Sequence, residues 1–168
     1  MRFRAGPALL LSLLAAACRT PDPKAELEVS DLEAYFVVDT PRGDTQYLAP
    51  AVRFRVRNKT ANPERSIQAN AVFRRVGEEE KSWSGDWKQV ASASKPLAPG
   101  QATLLVMKPE GEGRYYSTGT PESMFAHTLF RDVKVDLFLR VGSSGWTKMA
   151  EAKVERRIGS KAVQEGGS

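Results

Sequence analysis

A chain of 168 residues with 25 basic and 20 acidic side chains carries a formal charge of +5 and holds one cysteine and one histidine. A lone cysteine excludes an intramolecular disulfide, and a lone histidine without a second cysteine leaves a zinc site short of ligands. The basic excess is too slight to read as a nucleic-acid footprint.

The first segment reads as an address. Arg2 and Arg4 form a short positive region, and Ala8 to Ala17 form an apolar stretch broken only by Ser12, which is the layout of a secretory signal peptide over residues 1 to 17. The stretch is shorter than the about 20 residues a membrane-spanning helix needs. Without Arg2 and Arg4, 23 basic residues face 20 acidic ones and the mature charge is +3. Export and mild charge together argue against nucleic acid as a partner.

Residues 18 to 26 contain Pro21 and Pro23 among alternating charges and are expected to form an extended tether. Period-two patterns, the signal of half-buried strands, dominate from there. Leu32, Ala34, Phe36 and Val38 alternate with Glu33, Tyr35 and Val37, and Thr40 to Asp44 supplies turn chemistry. Val52, Phe54 and Val56 alternate with Arg53, Arg55 and Arg57 before a loop over 58 to 63. Ile67, Ala69, Ala71 and Phe73 continue the pattern, with Gln68, Asn70 and Arg74 facing the other way. Residues 77 to 84 read as a polar loop carrying Trp83, and 87 to 93 as a weaker strand.

The turn Pro96 to Gln101 launches a strand over 102 to 108, followed by a long loop from Pro109 to Thr120. Thr120 can cap a short helix with Pro121 in its first position and Glu122 in its first turn, and Met124, Phe125, Leu129 and Phe130 are expected to pack inward from it. Val133 to Val141 is the strongest alternation in the chain, and Gly142 to Gly145 makes a tight hairpin into 146 to 154. About seven strands with turns between them and no βα alternation predict an all-β fold, an immunoglobulin-like antiparallel β-sandwich with one short helix, over residues 27 to 158. Residues 159 to 168 are expected to be a disordered tail.

The junction Leu14-Ala15-Ala16-Ala17-Cys18 resembles the lipobox of bacterial lipoproteins, in which small residues precede a lipid-modified cysteine. Ala15 stands where that family usually has Leu. Ala15 and Ala17 also satisfy the small-x-small rule, so ordinary cleavage after Ala17 is the alternative. The resemblance implies lipid attachment at Cys18, which accounts for an unpaired thiol at an exported N-terminus. It also implies a membrane as one partner. Arg19, in a position where Asp favours inner-membrane retention, implies the periplasmic face of the outer membrane or the cell surface.

The strand from Val52 to Asn58, the Trp83/Trp87 segment and Leu97-Ala98-Pro99-Gly100-Gln101 together resemble small envelope lipoprotein domains of the FxLYD and YcfL-like type, over residues 50 to 108. The Leu-Tyr-Asp element itself is not present there. This resemblance implies a non-enzymatic domain that binds or scaffolds another envelope protein, and it carries over no functional residue.

Catalysis is poorly supplied. His127 has no Gly-x-Ser-x-Gly elbow to accompany it, Glu78-Glu79-Glu80 reads as a solvated acidic loop, and Gly111 to Arg114 lacks the context of a phosphate cradle. No enzyme, metal or other cofactor is expected. Two features point to binding. Arg53, Arg55 and Arg57, with Arg74 and Arg75 expected nearby, form a cationic stripe suited to an anionic glycan or lipid; a solvated strand face whose charges discourage edge pairing is the plainer reading. The loop with Arg114, Tyr115 and Tyr116 has the composition of a contact hot spot, or simply covers the end of the sandwich. Trp83 and Trp87, four apart, have the spacing of an aromatic platform for sugar; a buried tryptophan with its neighbour on a strand edge is the plainer reading.

Overall fold

The computed structural model describes residues 20 to 159. The signal peptide, Cys18 and the tail from residue 160 lie outside the described residues.

Alternating apolar side chains produce the expected sandwich, two antiparallel sheets with eight strands among the described residues. The first sheet holds β1 (Leu27–Arg42), β2 (Thr45–Asn58) and β5 (Ala102–Met107) in that order, with β6 (Tyr115–Ser117) pairing on β2 beyond the end of β5. The second has the order β4-β3-β7-β8, from Ser84–Ala91, Ile67–Arg75, Val133–Val141 and Thr147–Lys153. Strands β1, β2 and β5 against β4, β3, β7 and β8 is an immunoglobulin-like Greek-key order.

Each sheet turns one face inward. Phe36, Leu48, Phe54 and Met107 from the first sheet meet Ile67, Phe73, Leu137 and Leu139 from the second, all fully buried. At roughly 1.5–3 kcal/mol for each large apolar side chain removed from water, this layer dominates the stability.

The β1–β2 hairpin is longer than the alternation alone indicates. It closes through Gly43, whose φ of 59° is a left-handed value that a side chain would strain, between the paired Arg42 and Thr45. At its other end Asp31 takes φ 51° and the register shifts between Ser30 and Glu33, a bulge in β1.

After β8 the chain crosses to the first sheet. Glu155 N–H donates to the Ala34 carbonyl at 3.0 Å, Phe36 N–H to the Arg157 carbonyl at 2.9 Å and Gly159 N–H to the Phe36 carbonyl at 2.8 Å, so this segment runs along the outer edge of β1 and stitches the sheets together. Residue 159, assigned from sequence to the tail, is therefore still bonded to the domain.

Two expectations change. The tether is not extended throughout: Asp22 caps a single helical turn, Pro23–Glu26, its carboxylate accepting from Lys24 N–H at 3.0 Å, and Pro23 is buried. The helix after Thr120 is a 3₁₀ turn, Pro121–Ala126, capped by Thr120 as expected. It ends at His127, whose φ/ψ of −69°/138° are extended, so the three-to-four spacing stops there. Met124 and Phe130 still pack inward, but Leu129 is turned to solvent, 72% exposed.

Candidate functional site

The loop expected over 109 to 120 is partly a strand. Tyr115 and Tyr116 lie in β6, opposite Leu48 and Tyr47 of β2, so the two side chains point to opposite faces of the sheet. Tyr115 points inward. Its ring lies 4.6 Å from Phe130 and 4.9 Å from Trp83 between centroids, and its hydroxyl donates to the Arg131 carbonyl at 2.8 Å. Burial raises its phenol pKa. Tyr116 points outward beside Tyr47 and is 74% exposed.

Arg114 is also structural. Its guanidinium lies 2.8 Å from Asp39 and stacks over the Tyr47 ring at 4.8 Å, while Lys108 approaches the same carboxylate at 3.5 Å. Of the three loop residues chosen from sequence, Tyr116 alone is freely presented.

What surrounds Tyr116 is a groove of about 580 Å³ at one end of the sandwich, between β6 and the segment that follows the 3₁₀ turn. Tyr116, Leu129 and Phe130 supply its apolar surface, and Arg75, Arg114 and Arg131 supply cations against the single acid Glu78. Arg75 comes from the end of β3, stacked over Trp83 at 4.7 Å and Tyr115 at 5.9 Å. Its buried Nε has no hydrogen-bond partner among the described residues. Arg131 is held by its own backbone surroundings, donating to the Thr128 carbonyl at 3.1 Å. The groove thus combines exposed apolar side chains with positioned guanidinium groups.

Sequence reasoning found Tyr116 but missed Leu129 and Arg131. Leu129 falls on the inward face only if an α-helical period continues past Ala126, and the 3₁₀ turn ends there. The only signal that separates it from Phe130 is the extended backbone at His127.

The arginine stripe is placed as the alternation predicts and is electrostatically different from the expectation. Arg53 faces Glu33 at 3.4 Å, Arg55 faces Asp31 at 3.0 Å and Arg57 faces Glu28 at 3.9 Å. Every cation of the stripe thus has a carboxylate from β1, and Glu33 also binds Arg157 at 3.1 Å. The face presents ion pairs instead of a positive strip. Arg74 and Arg75 do not extend it, because β3 belongs to the other sheet; Arg74 binds Asp136 at 3.1 Å.

Trp83 and Trp87 do not form a platform together. Trp83 packs against the core and Tyr115, whereas Trp87 stands on the outer face of β4, 52% exposed. His127 Nδ1 accepts the Leu129 N–H at 3.1 Å, which engages that ring nitrogen locally. Among the described residues no group of three His, Cys, Asp or Glu side chains is placed to hold a metal ion.

No protein-family profile and no curated protein matches the chain. Among solved structures it is similar to β-glucuronidase 2 of Bacteroides uniformis, with a TM-score of 0.44 and 13% identity over 72% of this chain. The chain spans 12% of that enzyme's length. It is also similar to the protein described as ApaA from Bordetella pertussis, with a TM-score of 0.40 and 14% identity over 77% of this chain and 92% of that one. Both likenesses are too distant to bear on activity.

The arrangement at the groove suits recognition. Apolar side chains exposed next to guanidinium groups can bury a partner's apolar side chain while an acidic neighbour pairs with arginine, the combination from which binding hot spots are built.

Proposed function

We propose that this chain is a membrane-anchored bacterial lipoprotein that acts as a non-catalytic binding or accessory subunit for another envelope protein, docking it at the groove beside β6. The observation that carries the reading is the exposure of Tyr116 and Leu129 side by side with Arg75 and Arg131 around one groove of about 580 Å³. Two large apolar side chains held in water cost free energy that a partner surface would recover. Arg75 is paired with Glu78 and Arg114 with Asp39, which leaves Arg131 as the lining cation without an ion pair among the described residues, a fit for a partner segment with an apolar side chain beside one acidic group. The anchor rests on sequence alone: the apolar leader ending in Ala15-Ala16-Ala17-Cys18 and the polar residues that follow it.

The test has two arms. Labelling of cells with palmitate should mark the wild-type chain and not Cys18→Ala; equal labelling of both rejects the anchor. Cross-linking and pulldown from membranes should then enrich one envelope protein with the wild type and lose it with the Tyr116→Ala, Leu129→Ala double variant. Undiminished recovery with that variant rejects the groove.

A further inference from the structure

The outer face of the second sheet carries a pattern that the end groove does not use. Inter-strand register places Trp87, Asn70, Phe138 and Lys148 in one row across β4, β3, β7 and β8. The adjacent row runs Gln89, Gln68 and Arg140, and Arg140 stacks over Trp146 with its guanidinium 5.1 Å from the ring centroid. Trp87 is 52% exposed and Trp146 is 39% exposed, at opposite edges of the sheet. Three strand spacings and an offset of two residues along the strands separate them, roughly 16 Å, the length of a few sugar rings.

The polar groups between the rings are ordered. Gln89 donates to the Ile67 carbonyl at 3.1 Å and accepts from Gln68 at 3.3 Å, and Gln68 in turn accepts from Arg140. This chain of bonds and the stacking on Trp146 hold the Arg140 guanidinium in one orientation with donors to spare. Arg140 has no ion pair among the described residues, whereas Arg74 and Lys148 of the same face are paired with Asp136, and Lys148 also with Glu151. The Asn70 amide has no side-chain hydrogen bond among the described residues.

We infer that this face is a glycan-binding surface, selective for chains that carry carboxylate groups. The aromatic rings are separated by amides and cations, so they do not make the continuous apolar patch that a protein interface core requires. A glycan alternates in the same way. Its C–H faces stack on the electron-rich faces of Trp87 and Trp146, its hydroxyls need groups that both donate and accept, as Asn and Gln amides do, and a sugar carboxylate matches the planar fork of Arg140. The surface is open, so it takes the side of a chain and needs no chain end.

The test uses the full-length protein in detergent against an array of short hexuronate, sialylated and neutral oligosaccharides, with tryptophan fluorescence titration of any that bind. The expected result is binding confined to acidic members and weakened about tenfold or more by Trp87→Ala and by Arg140→Gln. Trp87→Phe should retain most of it, and Tyr116→Ala should leave it unchanged. Matching thermal midpoints across the variants show that folding is not the cause. Binding to no member, equal binding of neutral and acidic members, or binding indifferent to Trp87→Ala overturns the inference. None of these outcomes touches the groove, whose own variant is Tyr116.

Discussion

The Tyr115 hydroxyl donates to the Arg131 carbonyl at 2.8 Å, and the Arg131 N–H donates back to the Tyr115 hydroxyl oxygen at 3.3 Å. This pair ties β6 to the segment after the 3₁₀ turn, and Tyr115 and Arg131 both line the end groove. Its neighbour Tyr116 makes no such tie. The two adjacent tyrosines therefore predict opposite phenotypes. Tyr115→Phe should cost about 1 kcal/mol of stability, the net worth of a hydrogen bond, read as a lower denaturant midpoint. Tyr116→Ala should leave that midpoint within about 0.5 kcal/mol of wild type, as for an exposed side chain, and should weaken partner recovery.

The arginine face is predicted to be electrostatically quiet. Exposed ion pairs such as Arg53–Glu33 and Arg55–Asp31 are each worth about 0–1 kcal/mol. Arg55→Gln with Asp31→Asn removes a whole pair without changing the net charge, and should therefore change stability little and leave retention on an anionic column nearly unaltered. A large loss of salt-sensitive retention would show that the pairs open and that the stripe is a working surface.

Asn58 holds the loop at the end of β2. Fully buried, it donates from Nδ2 to the Asn62 carbonyl at 2.8 Å and the Leu97 carbonyl at 2.9 Å, and its Oδ1 accepts from Thr60 N–H at 2.8 Å and Oγ1 at 2.9 Å. Asn58→Ala strands these partners. The expected loss is about 2–4 kcal/mol, with an unchanged m-value if the fold survives.

Acid should weaken the second sheet. Burial works against the Asp136 carboxylate, yet hydrogen bonds from Lys148 and Arg74 more than offset it and hold its pKa below the usual value. Hydrogen bonds from Lys153 and Arg156 do the same for Asp132. A carboxyl group whose folded pKa is depressed stabilises the fold above its unfolded value of about 3.9, and that contribution fades as pH falls through the folded pKa. Denaturant unfolding at pH 5 and then stepwise below about pH 4 should show stability dropping, and Asp136→Asn should flatten the drop.

Much of the sandwich was legible because a two-residue period survives burial on one face, as in Val52 to Val56 and Val133 to Val141. What was not legible depends on pairing. The acids at Glu28, Asp31 and Glu33 stand opposite the arginine stripe only because β1 and β2 form one long hairpin with a bulge at Asp31. Nothing local to Arg53, Arg55 and Arg57 reveals that. The same holds for the Trp87 face, where Trp87 and Trp146, far apart in sequence, come to lie at opposite edges of one sheet through the order β4-β3-β7-β8. Leu129 was misplaced for a different reason, the change from a 3₁₀ turn to extended backbone at His127.

The most direct test of the docking role is site-specific photo-cross-linking in intact membranes, with the reactive residue placed at position 116 in one sample and at position 55 in another. The groove predicts one defined adduct with an envelope protein from position 116 and none from position 55. Adducts of equal yield from both positions, or an adduct from position 55 alone, would contradict it.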